Sequence, residues 1–417
     1  MLRLLIAKSK NFSIITFCNV GVQIISLLFF AIIARAYEPE ILGEYIIYLS
    51  YVSIVVIMCT GFYEQALFID KKERRQSYII AATIVVAIIL SLLSLIPLYF
   101  IAPEYAIFLC FAVFGGALRV LSRSYAIVNG KLKNIAIFDL ITSPIMPLLL
   151  VLGAKYFAQS TSTFLISVNA IMTLLIGATL YVYVIYLNNI RFIYSLKKGI
   201  FLSFLILKRY SNLPKYKMTS ELVAVFSLRL PVLVMDKFFT ANMAAFYGVA
   251  FRIAITPVTV ITSTVAQMFL HKIRNNRINN ESSFNVFIRY SLGLLVLALI
   301  CVMTIFTISE WVIVQLFTDK YRFVAYILKL MSPYIAVLIA IIPLTSTFIV
   351  YEKQKYLLLI QLALLILTSV GYFFAVQFDN IDLGIIFSSI SSFVVYGGAY
   401  YLMYKNYNNE RNFMMKL

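Results

Sequence analysis

From Asn11 to Ala34 the chain carries no charged residue, and stretches of this kind recur to its end. About 20 apolar residues take an α-helix across a hydrocarbon layer about 30 Å thick. A helix satisfies its own backbone hydrogen bonds inside that layer, so the expected fold is an all-α polytopic membrane protein. Length places twelve spans: Phe12–Ala34, Leu42–Phe62, Tyr78–Ile101, Tyr105–Val128, Ile135–Ala154, Thr163–Leu187, Ser220–Phe239, Met243–Leu270, Phe287–Ile308, Val324–Val350, Tyr356–Phe378 and Leu383–Tyr404. The first is too long for a signal-peptide core and is read as a spanning helix. With 62% hydrophobic and 12% charged residues, the composition excludes an ordinary soluble domain.

The net charge of +18 is unevenly placed. Of 35 Lys and Arg, 24 fall on one set of alternate connections, which includes both chain ends, and 5 on the other. Cytoplasmic connections collect Lys and Arg, so both termini are expected in the cytoplasm. Topology thus accounts for most of the excess. Scattered over short loops, it does not suit nucleic acid. The longest outer connection is expected at Ser309–Phe323. The connection Asn188–Thr219 holds an apolar octet, Ile200–Leu207, between basic pairs, read as an interfacial segment or an ordinary basic linker.

Cys18, Cys59, Cys110 and Cys301 lie in apolar runs without metal-ligand spacing. His271 is the sole histidine and is expected to open a basic loop. No Walker A, HExxH or GxSxG sequence occurs. Neither a metal nor a cofactor is expected, and the chain is not expected to be an enzyme.

Ala34–Ser50 (ARAYEPEILGEYIIYLS) lies on Asp236–Arg252 (DKFFTANMAAFYGVAFR) at an offset of 202. Arg35 meets Lys237, Pro39 meets Ala241, Gly43 meets Ala245 and Tyr45 meets Tyr247. The pattern of helix, basic residue, polar break, small residue, tyrosine and helix then opens each half. Two parallel repeats follow: an N-terminal lobe over residues 1–187, a cytoplasmic linker over 188–219 and a C-terminal lobe over 220–417.

Six basic residues fall inside spans. Arg229 and Arg252 each sit about ten residues from the break at Thr240-Ala241-Asn242, or about 15 Å along a helix. A guanidinium at that depth needs protein partners or a watery cavity. Arg119 and Arg123, four apart, share one helix face. The four make a candidate cationic ladder, because the planar guanidinium fork suits phosphate. The alternative for each is pairing with an internal acid such as Glu64, Asp139 or Asp236. Arg289 and Lys329 are expected to snorkel. Tyr125, Tyr247 and Tyr334 are candidate sugar-stacking residues. Pro231, two residues after Arg229, is a candidate hinge, and Arg35 a candidate gate residue.

The first hairpin, with Ala34-Arg35, Pro39-Glu40, Leu42-Gly43 and Tyr45, resembles that of bacterial polysaccharide flippases. These are the O-antigen repeat-unit transporters of the multidrug/oligosaccharidyl-lipid/polysaccharide exporter superfamily. Leu213-Pro214, Arg229, Ala244-Ala245-Phe246-Tyr247 and Arg252 resemble the opening of that family's second half. The resemblance implies two six-helix lobes of the kind found in multidrug and toxic compound extrusion (MATE) transporters. It also implies alternating-access transfer of an undecaprenyl-pyrophosphate-linked oligosaccharide across the bacterial inner membrane. The implied partners are that lipid-linked anionic glycan, the lipid bilayer, and a polysaccharide polymerase with its chain-length regulator. An organic-cation exporter of the same fold would call for buried acids, whereas the charges inside these spans are mainly basic. A membrane polysaccharide polymerase would call for a long outer loop, and a purely structural protein would not call for arginines at that depth.

Overall fold

In the computed structural model the described residues are 2–69, 73–96, 103–156, 161–187, 205–279, 281–351, 353 and 355–414. Twelve helices among them are long and apolar enough to cross a membrane. We label them α1 (Leu2–Ala36), α2 (Pro39–Cys59), α3 (Glu73–Leu93), α4 (Ala106–Val128), α5 (Leu132–Ala154) and α6 (Ser162–Leu187). The second set is α7 (Thr219–Phe238), α8 (Ala241–Ile278), α9 (Phe284–Phe317), α10 (Phe323–Ile341), α11 (Lys355–Gln377) and α12 (Ile381–Met414). No strand occurs among the described residues. The chain is an all-α polytopic membrane protein.

The chain divides into two compact units, Met1–Val225 and Phe226–Leu417, with the division falling inside α7. In the first unit α4 and α6 approach backbone to backbone at Gly115 and Gly177. A Cβ on Gly177 would lie 2.2 Å from the Gly115 carbonyl oxygen. Without a hydrophobic drive between helices in lipid, such close contact of small residues is what holds them together. Below the crossing, Leu67, Ile79, Leu121 and Leu180 close a dry core. In the second unit α9 keeps a face of exposed apolar side chains, among them Leu292, Val296, Ile300 and Met303. Such a face is stable against hydrocarbon and not against water.

Several boundaries differ from expectation. Helix α9 continues through Phe317 and is followed by a 3₁₀ turn at Asp319–Tyr321, so most of the expected outer loop Ser309–Phe323 is helical. Trp311, Val312 and Ile313 prolong the apolar run beyond Ile308, and Glu310 sits on its exposed side. Residues 271–278 continue α8, so His271 lies within a helix rather than opening a loop. Expected as one span to Val350, α10 stops at Ile341, and Pro343 sits in the 3₁₀ turn that follows. Proline has no N–H to give to an α-helical bond. Most of the octet Ile200–Leu207 lies outside the described residues, and 205–209 are helical.

The two hairpin breaks fall in the same register. Helices α1 and α7 end at Ala36 and Phe238, and α2 and α8 begin at Pro39 and Ala241, both at the offset of 202. The start signals differ. Pro39 occupies the first turn of α2, where its missing N–H costs nothing. At α8 the Thr240 hydroxyl accepts the Met243 N–H at 3.3 Å, a side-chain N-cap.

Candidate functional site

The first unit gathers charge at the α4–α5 hairpin. Helix α4 ends at Val128, Asn129 caps it, and Gly130 takes the left-handed conformation at φ 72°. Lys131 N–H reaches the Ala126 carbonyl at 2.8 Å, and Gly130 N–H reaches that of Ile127 at 3.1 Å. This pair of bonds is a Schellman stop, and the φ value is what asks for glycine there. The tight turn sends α5 back along α4. Asp139 then comes opposite Arg119 and Arg123.

Arg119 donates to one Asp139 oxygen at 2.7 Å and Arg123 donates to the other. Asp139 is 7% exposed as a side chain, against 35% for Arg119 and 44% for Arg123. One carboxylate thus serves two guanidiniums and leaves one positive charge in excess. Neither Nε has a hydrogen-bond partner among the described residues. The pairing alternative raised for these two arginines is therefore what the structure contains, with Asp139 as the acid. Glu64 plays no part in it. It is buried among its own backbone N–H, Thr60 and Gln65.

The second unit holds Arg229 on α7 and Arg252 on α8. The hairpin brings the two within electrostatic reach of each other, and Arg229 also lies near the Tyr247 hydroxyl. Arg229 makes no ion pair with an acid among the described residues. Arg252 and Asp236 each have interactions of their own. Two guanidiniums within such reach repel unless counter-charge or water screens them. Pro231 is buried inside α7, half a turn beyond Arg229. Arg35 lies exposed in the last turn of α1 and is also engaged.

The candidate stacking tyrosines sit differently. Tyr125 belongs to the dry core of the first unit, at 8% exposure. Tyr247 is 4% exposed and stacks on Phe251. Neither offers a free ring face. Tyr247, Tyr372 and Tyr396 are buried, and the half-buried Tyr334 lies within electrostatic reach of all three. The Tyr372 hydroxyl lies close to those of Tyr247 and Ser388 without a well-aligned hydrogen bond to either. The sequence gives little signal for this group. Tyr372 and Tyr396 stand in ordinary apolar helices, where tyrosine usually marks a membrane interface.

The sequence matches no family model, and no curated protein matches it. Solved structures share its fold. The chain superposes on one described as the lipid II flippase MurJ in an inward closed conformation, with TM-score 0.72 and 14% identity, over 92% of this chain and 85% of that one. An inward-facing multidrug resistance MATE family transporter of the MOP superfamily gives TM-score 0.65 and 12% identity, over 95% of each chain. A MOP superfamily transporter from Pyrococcus furiosus, described as having a binding pocket of reverse polarity, gives 0.60 and 11% identity, over 96% of each chain. The chain, with twelve helices among its described residues long enough to cross a membrane, therefore shares the fold of these transporters.

Proposed function

We propose that this chain is a flippase for an undecaprenyl-pyrophosphate-linked oligosaccharide, an O-antigen repeat unit or a similar glycan. The observation that carries the reading is the Arg229–Arg252 pair. Two cations on adjacent helices, both distant from the helix ends, lie close enough to repel. A phosphate or acidic sugar between them would relieve that repulsion and accept paired hydrogen bonds. Arg119 and Arg123, with one acid for two guanidiniums, give the first unit a similar excess of positive charge. A neighbour of the same fold is named as a lipid II flippase. Another is described as having a pocket of reverse polarity and, by its description, a different function. The first precedent favours a lipid-linked substrate over an organic cation. The chain then sits in the bacterial inner membrane with both ends in the cytoplasm. It works by alternating access, with its two six-helix halves on either side of the 188–219 connection. It supplies a polysaccharide polymerase and its chain-length regulator.

The test is export of surface polysaccharide, measured together with protein level in the membrane. Arg229→Ala, Arg252→Ala and the double variant are expected to abolish export at normal protein level. Arg→Lys is expected to restore it in part, because charge is kept and the bidentate fork is lost. Normal export from the double alanine variant ends the proposal.

A further inference from the structure

Away from the arginines, the second unit carries a long groove along α9, α10 and α12. It consists of two cavities of about 480 Å³ and 340 Å³ that share Pro333 and Phe393 in their linings. On α9 the lining runs from Ile288 to Phe306. That is about 27 Å of helix at 1.5 Å per residue, close to the thickness of a hydrocarbon core. The rim is apolar and open: Leu292, Leu299, Phe306 and Phe393 are all more than half exposed.

Two features hold the groove open. Pro333 interrupts α10 and frees the Lys329 carbonyl, four residues back. The Ser332 hydroxyl takes up that carbonyl at 2.7 Å, and Ser389 donates to the Leu330 carbonyl at 3.3 Å. On α12, Gly397 falls on the face of Phe393 and Tyr400, both of which line the groove. A Cβ at Gly397 would meet nothing within 4 Å. Glycine is therefore not there to let another helix approach.

The polar backbone around the break is satisfied, and Lys329 is the one charged residue in the lining. It makes no ion pair among the described residues. It stands about 9 Å from the Phe323 end of α10, within reach of headgroup depth on its flexible stem.

We infer that this groove is a binding site for an anionic phospholipid of the surrounding bilayer. One acyl chain lies along α9 and α12, and the phosphate rests against Lys329. Access is lateral, from the hydrocarbon, which is where the open rim faces. The charge match selects the headgroup. One lysine complements one phosphodiester, whereas a pyrophosphate carries more charge than this single cation answers. No arginine lines the groove, and its occupancy does not depend on what the chain transports.

The experiment is native mass spectrometry of the full chain, delipidated in detergent and given phosphatidylglycerol or phosphatidylcholine with identical chains. Wild type is expected to retain phosphatidylglycerol preferentially. Lys329→Ala is expected to lower that occupancy about fivefold, to the level of phosphatidylcholine. Gly397→Leu adds bulk on the groove-side face of α12, where a Cβ meets nothing within 4 Å, and is expected to lower retention of both lipids, with helix content by circular dichroism unchanged. Equal retention of the two lipids by wild type overturns the inference, as does unchanged retention by Gly397→Leu. Displacement of phosphatidylglycerol by an equimolar polyprenyl pyrophosphate also overturns it, since the site would then belong to the transported lipid.

Discussion

Arg119 donates to Asp139 at 2.7 Å, and the other oxygen of the same carboxylate receives Arg123. Removing the acid leaves two guanidiniums facing each other. Breaking a fully buried pair costs about 3–5 kcal/mol. Here the arginines are a third to a half exposed, so solvent screening brings Asp139→Asn down to about 1–2 kcal/mol. Thermal unfolding in detergent is expected to show that loss. Adding Arg123→Ala to Asp139→Asn is expected to recover part of it, because one of the repelling charges has gone. An Asp139→Asn protein as stable as wild type would mean the carboxylate is not holding the pair.

The Gly115–Gly177 crossing and the Gly130 turn make separable demands on glycine. At Gly177 a methyl group would meet backbone at 2.2 Å. Gly177→Ala is expected to force α4 and α6 apart at a cost of about 2–3 kcal/mol. At Gly130 a Cβ would meet nothing within 4 Å, and the strain lies in φ alone. Gly130→Ala is expected to cost about 1 kcal/mol, and Gly130→Asn less, because asparagine tolerates the left-handed region. Melting curves of the three variants give the ranking.

Topology is accessible to cysteine labelling after replacement of the four native cysteines. Thr161, Asn242 and Asn380 are all exposed at helix ends. Cysteine at each is expected to react with an impermeant thiol reagent added outside intact cells. Cysteine at Asn212 or Asn408 is expected to react only after the membrane is opened. Labelling of the second pair from outside would reverse the orientation inferred from the distribution of Lys and Arg.

Much of this architecture is legible in the sequence, because a bilayer makes each span declare itself by length. The breaks at Ala36–Pro39 and Phe238–Ala241 fall where the repeat places them. Asp139 is recognisable as a partner for arginine because it is an acid inside an apolar run. The groove beneath Gly397 is not legible. It depends on three helices meeting with a gap, and Pro333 and Gly397 are 64 residues apart. The packing of Tyr125 and Tyr247 is illegible for a related reason. Nothing in the sequence around Tyr125 or Tyr247 distinguishes a ring packed in a core from a ring facing a passage. The extension of α9 through Phe317 was obscured by Glu310, a charge that an exposed helix end carries at little cost.

Glu64 gives the folded chain a pH dependence that can be isolated. Burial pushes its carboxyl up from the ordinary range, against hydrogen bonds from its own backbone N–H, Thr60 and Gln65. One of its oxygens has no partner among the described residues. The unfolded chain ionises near the ordinary value of about 4.3, and the folded chain at a higher pH. Between those two values the folded state holds the extra proton, so stability falls as pH rises through that window. Glu64→Gln is expected to remove this slope. It should raise the thermal midpoint at pH 8 and leave it nearly unchanged near pH 4. A variant less stable than wild type at pH 8 would show that the ionised carboxylate is needed where it stands.

Pro231 interrupts α7 two residues after Arg229 and is buried there. Its ring removes the N–H that would bond the Ser227 carbonyl and crowds that oxygen, which weakens the helix at this point. A weak point beside the proposed substrate cation is where α7 would bend if Arg229 has to move during a transport cycle. Pro231→Ala restores the bond. It is expected to raise the thermal midpoint, by up to about 3 kcal/mol in stability, and to slow export with protein level unchanged. Pro231→Gly keeps a weak point without the ring and is expected to export faster than the alanine variant despite lower stability. Export tracking stability across wild type, alanine and glycine, rather than opposing it, would remove Pro231 from the mechanism and leave it a feature of packing.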